Sequence, residues 1–112
     1  MSETIFGKII RGEVPSEKLY ESAHLIAIRD INPKAPVHLL IIPKKAYPSL
    51  QAIPKEEVSI VEEVVLVAQE LARSTGIEDN YRFITNNGPG AGQTVFHLHF
   101  HLIGGAPLGE MA

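Results

Sequence analysis

Residues 95–105 read VFHLHFHLIGG, and within them His97, His99 and His101, three of the chain's five histidines, stand at every second position. The aliphatic and aromatic residues between them favour extended backbone, so residues 94–103 (TVFHLHFHLI) are predicted to form a strand. Positions two apart on a strand share a face. The three imidazoles therefore line one side, and Phe96, Leu98, Phe100 and Leu102 line the other. The apolar side is expected to be core, and the histidine side calls for a chemical explanation.

Working outward, YRFITN (81–86) reads as the preceding strand and NGPGAGQ (87–93) as a glycine-rich connection to it. From Pro54 to Thr75 apolar residues recur at three and four, namely Val58, Val61, Val64, Val65, Ala68, Leu71 and Ala72. Pro54 suits the first turn and Gly76 the stop, which predicts one long helix. VHLLIIP (37–43) is an aliphatic run ended by Pro43 and predicts a buried strand. KLYES and LIAIRD, on either side of Ser22 to His24, predict two more strands. A short amphipathic helix is expected over residues 3–11, with Ser2 as N-cap, Ile5, Phe6, Ile9 and Ile10 on its apolar face, and Gly12 after it. The order β, β, β, helix, β, β argues an α+β domain spanning 1–112: a five-stranded antiparallel sheet with one long and one short helix.

Composition narrows the function. With 112 residues, 45% apolar and 21% charged, the chain has the make-up of one globular domain. Its net charge is −3 and its longest basic run is Lys44–Lys45, so nucleic acid is not an expected partner. Both lysines are expected to face solvent. With no cysteine there is no disulfide framework, thiolate zinc site or cysteine nucleophile. The opening MSETIFGKIIRGE has no long apolar run, so no membrane anchor is expected and the cytoplasm is the expected location.

Three readings of the histidine strand stand side by side. The bland one is a half-exposed strand whose polar face uses histidine three times. The second is metal: His-x-His on a strand can place two imidazoles on one zinc, with His38 as a third ligand. On an ideal strand, however, His97 and His101 are roughly 13 Å apart, so one imidazole is left over. No Asp or Glu adjoins the motif to orient the ligands either. The third is catalysis, in which His99 attacks while its neighbours discourage one another from charging and hold what is attacked. The loop ahead of the strand offers backbone N–H groups, Gln93 and the Thr94 hydroxyl, donors suited to phosphoryl oxygens. Its ordinary alternative is a loop needing positive φ at Gly88, Gly90 or Gly92.

The string His97-Leu98-His99-Phe100-His101-Leu102-Ile103, supported by IFGKIIRGEVPSEKLYES, AIRDINPKAPVHLLIIPKK and ITNNGPGAGQTVFHLHFHLIGG, resembles the histidine triad (HIT) superfamily, in particular its nucleotide-binding (HINT) branch. The resemblance covers most of the chain. It implies a homodimer whose sheets join into ten strands, with a purine nucleotide site in each subunit. It also implies hydrolysis of adenosine 5′-phosphoramidates to AMP and an amine through nucleotidylated His99, without a cofactor or metal. His97 and His101 would then hold phosphate oxygens and His38 would support the triad. Asn86, Gly92, Gln93 and Thr94 would surround the phosphate, and Asp30 would accept from the ribose hydroxyls. Asp30 also reads as a turn cap before Asn32-Pro33. Ile5, Phe6, Ile9, Ile28 and Ile31 would form the slot for the base, and they equally read as core. Two departures stand out: Ala46 where the family often has histidine, and no tryptophan near the C-terminus, which bears on the choice of amine. Alternatives within the resemblance are a dinucleoside polyphosphate or nucleotidyl-sugar hydrolase or transferase, and a slow-turnover nucleotide-binding regulator. Outside it stands a zinc-binding module using His97, His99 and His38.

Overall fold

The computed structural model describes residues 3–111, so Ser2 lies outside it. Helix α1 spans Ile5–Ile10, and its N-cap is Thr4, whose hydroxyl accepts from the Gly7 N–H at 3.2 Å. A cap of this kind contributes about 1 kcal/mol, which matters for a helix of six residues. Strands β1 (Lys18–Glu21), β2 (Leu25–Arg29) and β3 (Val37–Pro43) follow, then α2 (Ile60–Ser74), β4 (Tyr81–Ile84) and β5 (Phe100–Gly104). Residues Lys55–Glu57 form a 3₁₀ turn, so the long helix starts later than Pro54. It stops where expected, with Gly76 at φ 76°, a conformation open to glycine.

All neighbouring strands are antiparallel, in the order β1-β2-β3-β5-β4. The last strand is therefore inserted between two earlier ones. β3 lies inside the sheet and six of its seven residues are buried, as its aliphatic run requires. Each face of the sheet carries its own core. On one, Val64, Val67, Ala68, Leu71 and Ala72 of α2 pack with Leu25, Leu39, Ile41, Leu98, Phe100 and Leu102. On the other, Phe6 and Ile9 of α1 cover Ile26, Ile28, Leu40 and Ile42. Val58 and Val65, part of the predicted apolar stripe of α2, stand exposed together with Leu66.

β5 is half the predicted length. Its ladder with β3 ends at Ile41 opposite Phe100, and its ladder with β4 ends at Ile84 opposite His101. Pro43 closes β3 and has no N–H with which to extend the pairing. Residues 94–99 therefore leave the sheet as an irregular segment. Phe96, expected in the core, is 51% exposed, whereas Leu98, Phe100 and Leu102 keep their places in it. Gly104, the last residue of β5, is closely packed: a Cβ there would meet Ile77 and the Asn80 carbonyl at 3.0 to 3.1 Å. No described helix is long and apolar enough to cross a membrane.

Leu102 is fully buried at the centre of the α2-side core. Replacing it with alanine is expected to lower the unfolding free energy by about 2 to 5 kcal/mol, read from urea denaturation. A loss under about 1 kcal/mol would show that this core is looser than described.

Candidate active site

The register that builds the core also gathers the histidines. His38 on β3 shares a face with Leu40 and Ile42, the α1 side. His101 on β5 pairs with Leu40, while His38 pairs with Ile103. The two histidines are diagonal neighbours on one face, a separation long side chains bridge. The His38 Nε2 and His101 Nδ1 atoms lie 2.9 Å apart, a hydrogen-bond distance. Asp30, just past the end of β2, sends one carboxylate oxygen to 3.4 Å from His38 Nε2. Its other oxygen accepts from the Asn32 N–H at 2.8 Å, so Asp30 is both a turn cap and a neighbour of the histidines. The carboxylate that the sequence does not show beside the motif is supplied from across the sheet.

His97 and His99 lie outside the sheet, yet both rings are held. His97, 1% exposed, donates from Nε2 to the Pro43 carbonyl at 2.7 Å. His99 donates from Nδ1 to the His97 carbonyl at 2.8 Å, and its own carbonyl accepts from the Thr85 hydroxyl at 2.7 Å. A neutral imidazole carries a single N–H, so His99 presents Nε2 as a bare lone pair. Phe6 meets the His99 ring edge-on at 4.8 Å between centroids, and the His101 ring is 5.2 Å away on the other side.

Burial dominates the acid–base behaviour of these rings. It pushes His97 and His99 below the ordinary imidazole value, although each donates to a carbonyl. It also lowers His38 against the pull of Asp30. His101 is driven to about 4, by burial first and then by His99 and His38. All four are neutral at pH 7, so His99 has its lone pair available.

The glycine-rich loop differs from its expected role. The N–H groups of Ala91, Gly92 and Gln93 turn inward to the carbonyls of Gly88 and Pro89. Gln93 is buried; its side-chain amide donates to the Pro48 and Val95 carbonyls, and its oxygen accepts from the Gly88 N–H. Gln93 therefore staples the loop and has no N–H left for a phosphoryl oxygen. Gly88 and Gly92 take positive φ, at 90° and 98°. Thr94 is exposed, and Asn86 is half-buried beside Gly92. Among the base-slot residues, Phe6, Ile9 and Ile28 are core, whereas Ile31 is 90% exposed and Ile5 45%.

One group of described residues has metal-like spacing: the ligand atoms of Asp30, His38 and His101 lie within 4.8 Å of one another. It is a different set from His97, His99 and His38, because the His97 ring is committed to Pro43. A hollow of about 830 Å³ around Ile77, Asn80, Arg82 and Pro107 has no histidine in its lining.

Several positioning groups were invisible in the sequence. The segment 43–48 holds the irregular histidine stretch through three carbonyls: Pro43 to His97, Tyr47 to the Leu98 N–H at 2.7 Å, and Pro48 to Gln93. Tyr47 is itself pinned by its hydroxyl to Glu57 at 2.7 Å, and Lys45 reaches the same carboxylate oxygen at 2.6 Å. Lys45 is exposed as expected. Lys44 is partly covered and paired with Glu21 at 2.8 Å.

Residues 11–108 match the HIT domain family, and the chain belongs to it. It is 52% identical over 109 residues to a HIT-like protein of Chlamydia pneumoniae, an alignment covering 97% of this chain and 99% of the relative. It is 46% identical over 110 residues to the purine nucleoside phosphoramidase of Escherichia coli, covering 97% and 92%. In structure it superimposes on a HIT family hydrolase from Clostridium thermocellum with TM-score 0.93 and 46% identity, covering 99% and 97%.

The lowered imidazoles fix the sign of a pH effect. Their unfolded value is near 6.5, so below that pH the unfolded chain binds more protons than the folded one. Stability is expected to be full above about pH 6.5 and to fall as the pH drops from there towards 4. Urea midpoints between pH 8 and 4.5 measure this. His101→Gln is expected to lessen the decline, and an equally steep decline in that variant would contradict it.

Proposed function

We propose that the chain hydrolyses purine nucleoside 5′-phosphoramidates, releasing a nucleoside monophosphate such as AMP and an amine. The observation that carries this reading is His99: its Nδ1–H is tied to the His97 carbonyl at 2.8 Å, so Nε2 is bare and neutral. The E. coli relative, named for this activity, supports it. In the first step Nε2 bonds to the α-phosphorus and the P–N bond breaks, with the departing nitrogen taking up one proton. In the second, water bonds to phosphorus, the Nε2–P bond breaks and one proton is returned. Splitting the reaction in this way replaces one difficult displacement with two easier ones. The positive charge on nucleotidylated His99 is stabilised by the bond from Nδ1–H to the carbonyl.

His101 flanks the reacting phosphorus, the Thr94 hydroxyl and Asn86 complete its polar surroundings, and Gly92 shapes the loop. His97, expected to hold phosphate oxygens, is buried against the Pro43 carbonyl and instead orients His99 through its own carbonyl. His38 supports His101. Asp30, whose two oxygens each keep a further lone pair beyond their contacts with Asn32 and His38, suits the ribose hydroxyls. Ile31 and Ile5, both uncovered, offer apolar surface to the base over a floor of Phe6, Ile9 and Ile28.

The same reading includes a homodimer. β4 is an open edge, and α2 exposes Val65 and Leu66, the latter at 61%, with Val58 exposed just ahead of the helix. Pairing β4 with the β4 of a second copy joins two sheets into ten strands and covers this apolar face. Leu66→Glu is expected to sediment as a folded monomer where the parent sediments as a dimer. A parent that is itself monomeric at micromolar concentration would overturn the arrangement.

For the chemistry, His99→Ala is expected to lower AMP release from an adenosine 5′-phosphoramidate by about a thousandfold or more and to leave AMP binding in place. Mass spectrometry of the parent during turnover should show the nucleotidyl adduct on His99. Turnover by His99→Ala near the parental rate would remove His99 as nucleophile.

A further inference from the structure

The Lys34 main-chain N–H points at His38 Nδ1 from 3.0 Å. An N–H donor requires a lone pair at its acceptor, so the neutral His38 ring must carry its proton on Nε2. That proton faces His101 Nδ1 at 2.9 Å, which in turn must be a lone pair. The proton of neutral His101 is then confined to its Nε2. One backbone group thus fixes the tautomer of two rings in series, and the second ring adjoins His99 at 5.2 Å.

We propose that the Lys34 main-chain N–H is a positioning group that locks His38 and His101 as Nε2–H tautomers, so that His101 offers the reacting phosphoryl group a donor. The part of this that concerns catalysis rests on the phosphoramidate reading above; the tautomers themselves do not. The source of the N–H is well defined. Residues 33–36 read Pro-Lys-Ala-Pro, and the prolines at 33 and 36 have no N–H to give. The Lys34 side chain is exposed, and its charge disfavours a second proton on His38, so it supports the neutral ring whose tautomer the amide hydrogen selects. Asp30, 3.4 Å from the same Nε2, reinforces the arrangement, because a carboxylate accepts an N–H and repels a lone pair. The lock also bears on the cluster of Asp30, His38 and His101. A metal would need the Nε2 lone pair of His38, and the Lys34 N–H would then confront the ring's remaining N–H.

The test uses nitrogen NMR of the full chain labelled at histidine, at a pH where the rings are neutral. In the parent, His38 and His101 should each show a protonated Nε2 and an unprotonated Nδ1. Lys34→Ala, which keeps the main-chain donor and loses only the side-chain charge, is the control: its His38 and His101 tautomers should match those of the parent. Compared with Lys34→Ala, Lys34→Pro further removes the N–H donor and should shift His38 towards the Nδ1–H form and slow AMP release about tenfold, roughly the effect of one hydrogen bond. A parent His38 protonated on Nδ1 would overturn the proposal, whether or not Lys34→Pro folds. An unchanged spectrum and rate in folded Lys34→Pro would overturn it equally. If the parent releases no AMP, the phosphoramidate reading fails and the His38 spectrum still decides the lock.

Discussion

The site depends on where the sheet stops. A central strand consumes its carbonyls in ladders, and a carbonyl so used has little left for a side chain. Because the pairing of β5 ends at Phe100 and Ile41, and Pro43 extends it no further, the carbonyls of His97, Pro43 and Tyr47 are available. Two of them receive imidazole N–H groups, and the third anchors the backbone between those rings. The histidines are thus oriented by unspent main-chain acceptors at a frayed sheet edge, and not by a carboxylate behind each ring. His38 is the exception, with Asp30 beside it.

Burying His38 and His97, and half-burying His99 and His101, costs free energy unless their polar atoms find partners. Here the partners are neutral, or in the one charged case only 3.4 Å from His38 Nε2, so burial is the larger influence and the rings stay uncharged. The same burial that makes the site expensive makes His99 usable at neutral pH without a neighbouring base to deprotonate it. The expense is met by ordinary packing: α1 contributes Phe6 and Ile9 to the face that carries the histidines, and α2 secures the opposite face.

Much of this was legible in the chain. The alternation at 97–101 survives the loss of regular structure, because Leu98 and Phe100 are drawn into the α2-side core and the histidines are left to the other side. β3 and the end of α2 follow from aliphatic content and from Gly76. What could not be read depends on partners distant in sequence. The early end of β5 follows from the register of β3 and β4, and Phe96 is exposed as a consequence. The inward turn of Gln93 requires the Pro48 carbonyl, and the proximity of Asp30 to His38 requires the β2–β3 pairing. Ile31 looks like core by residue type, yet follows the last paired residue of β2 and has no layer above it.

The topology has a consequence for how such a chain comes off the ribosome. β5 follows β4 in the chain but belongs between β3 and β4, and Phe6 of α1, made before every strand of the sheet, packs on His99, which follows β4. Until β5 emerges, β3 and β4 cannot be bridged, and a short α1 lacks its contact with His99. A nascent chain halted after β4 therefore has neither a closed sheet nor any histidine of the triad. The triad histidines and the strand that closes the sheet arrive together.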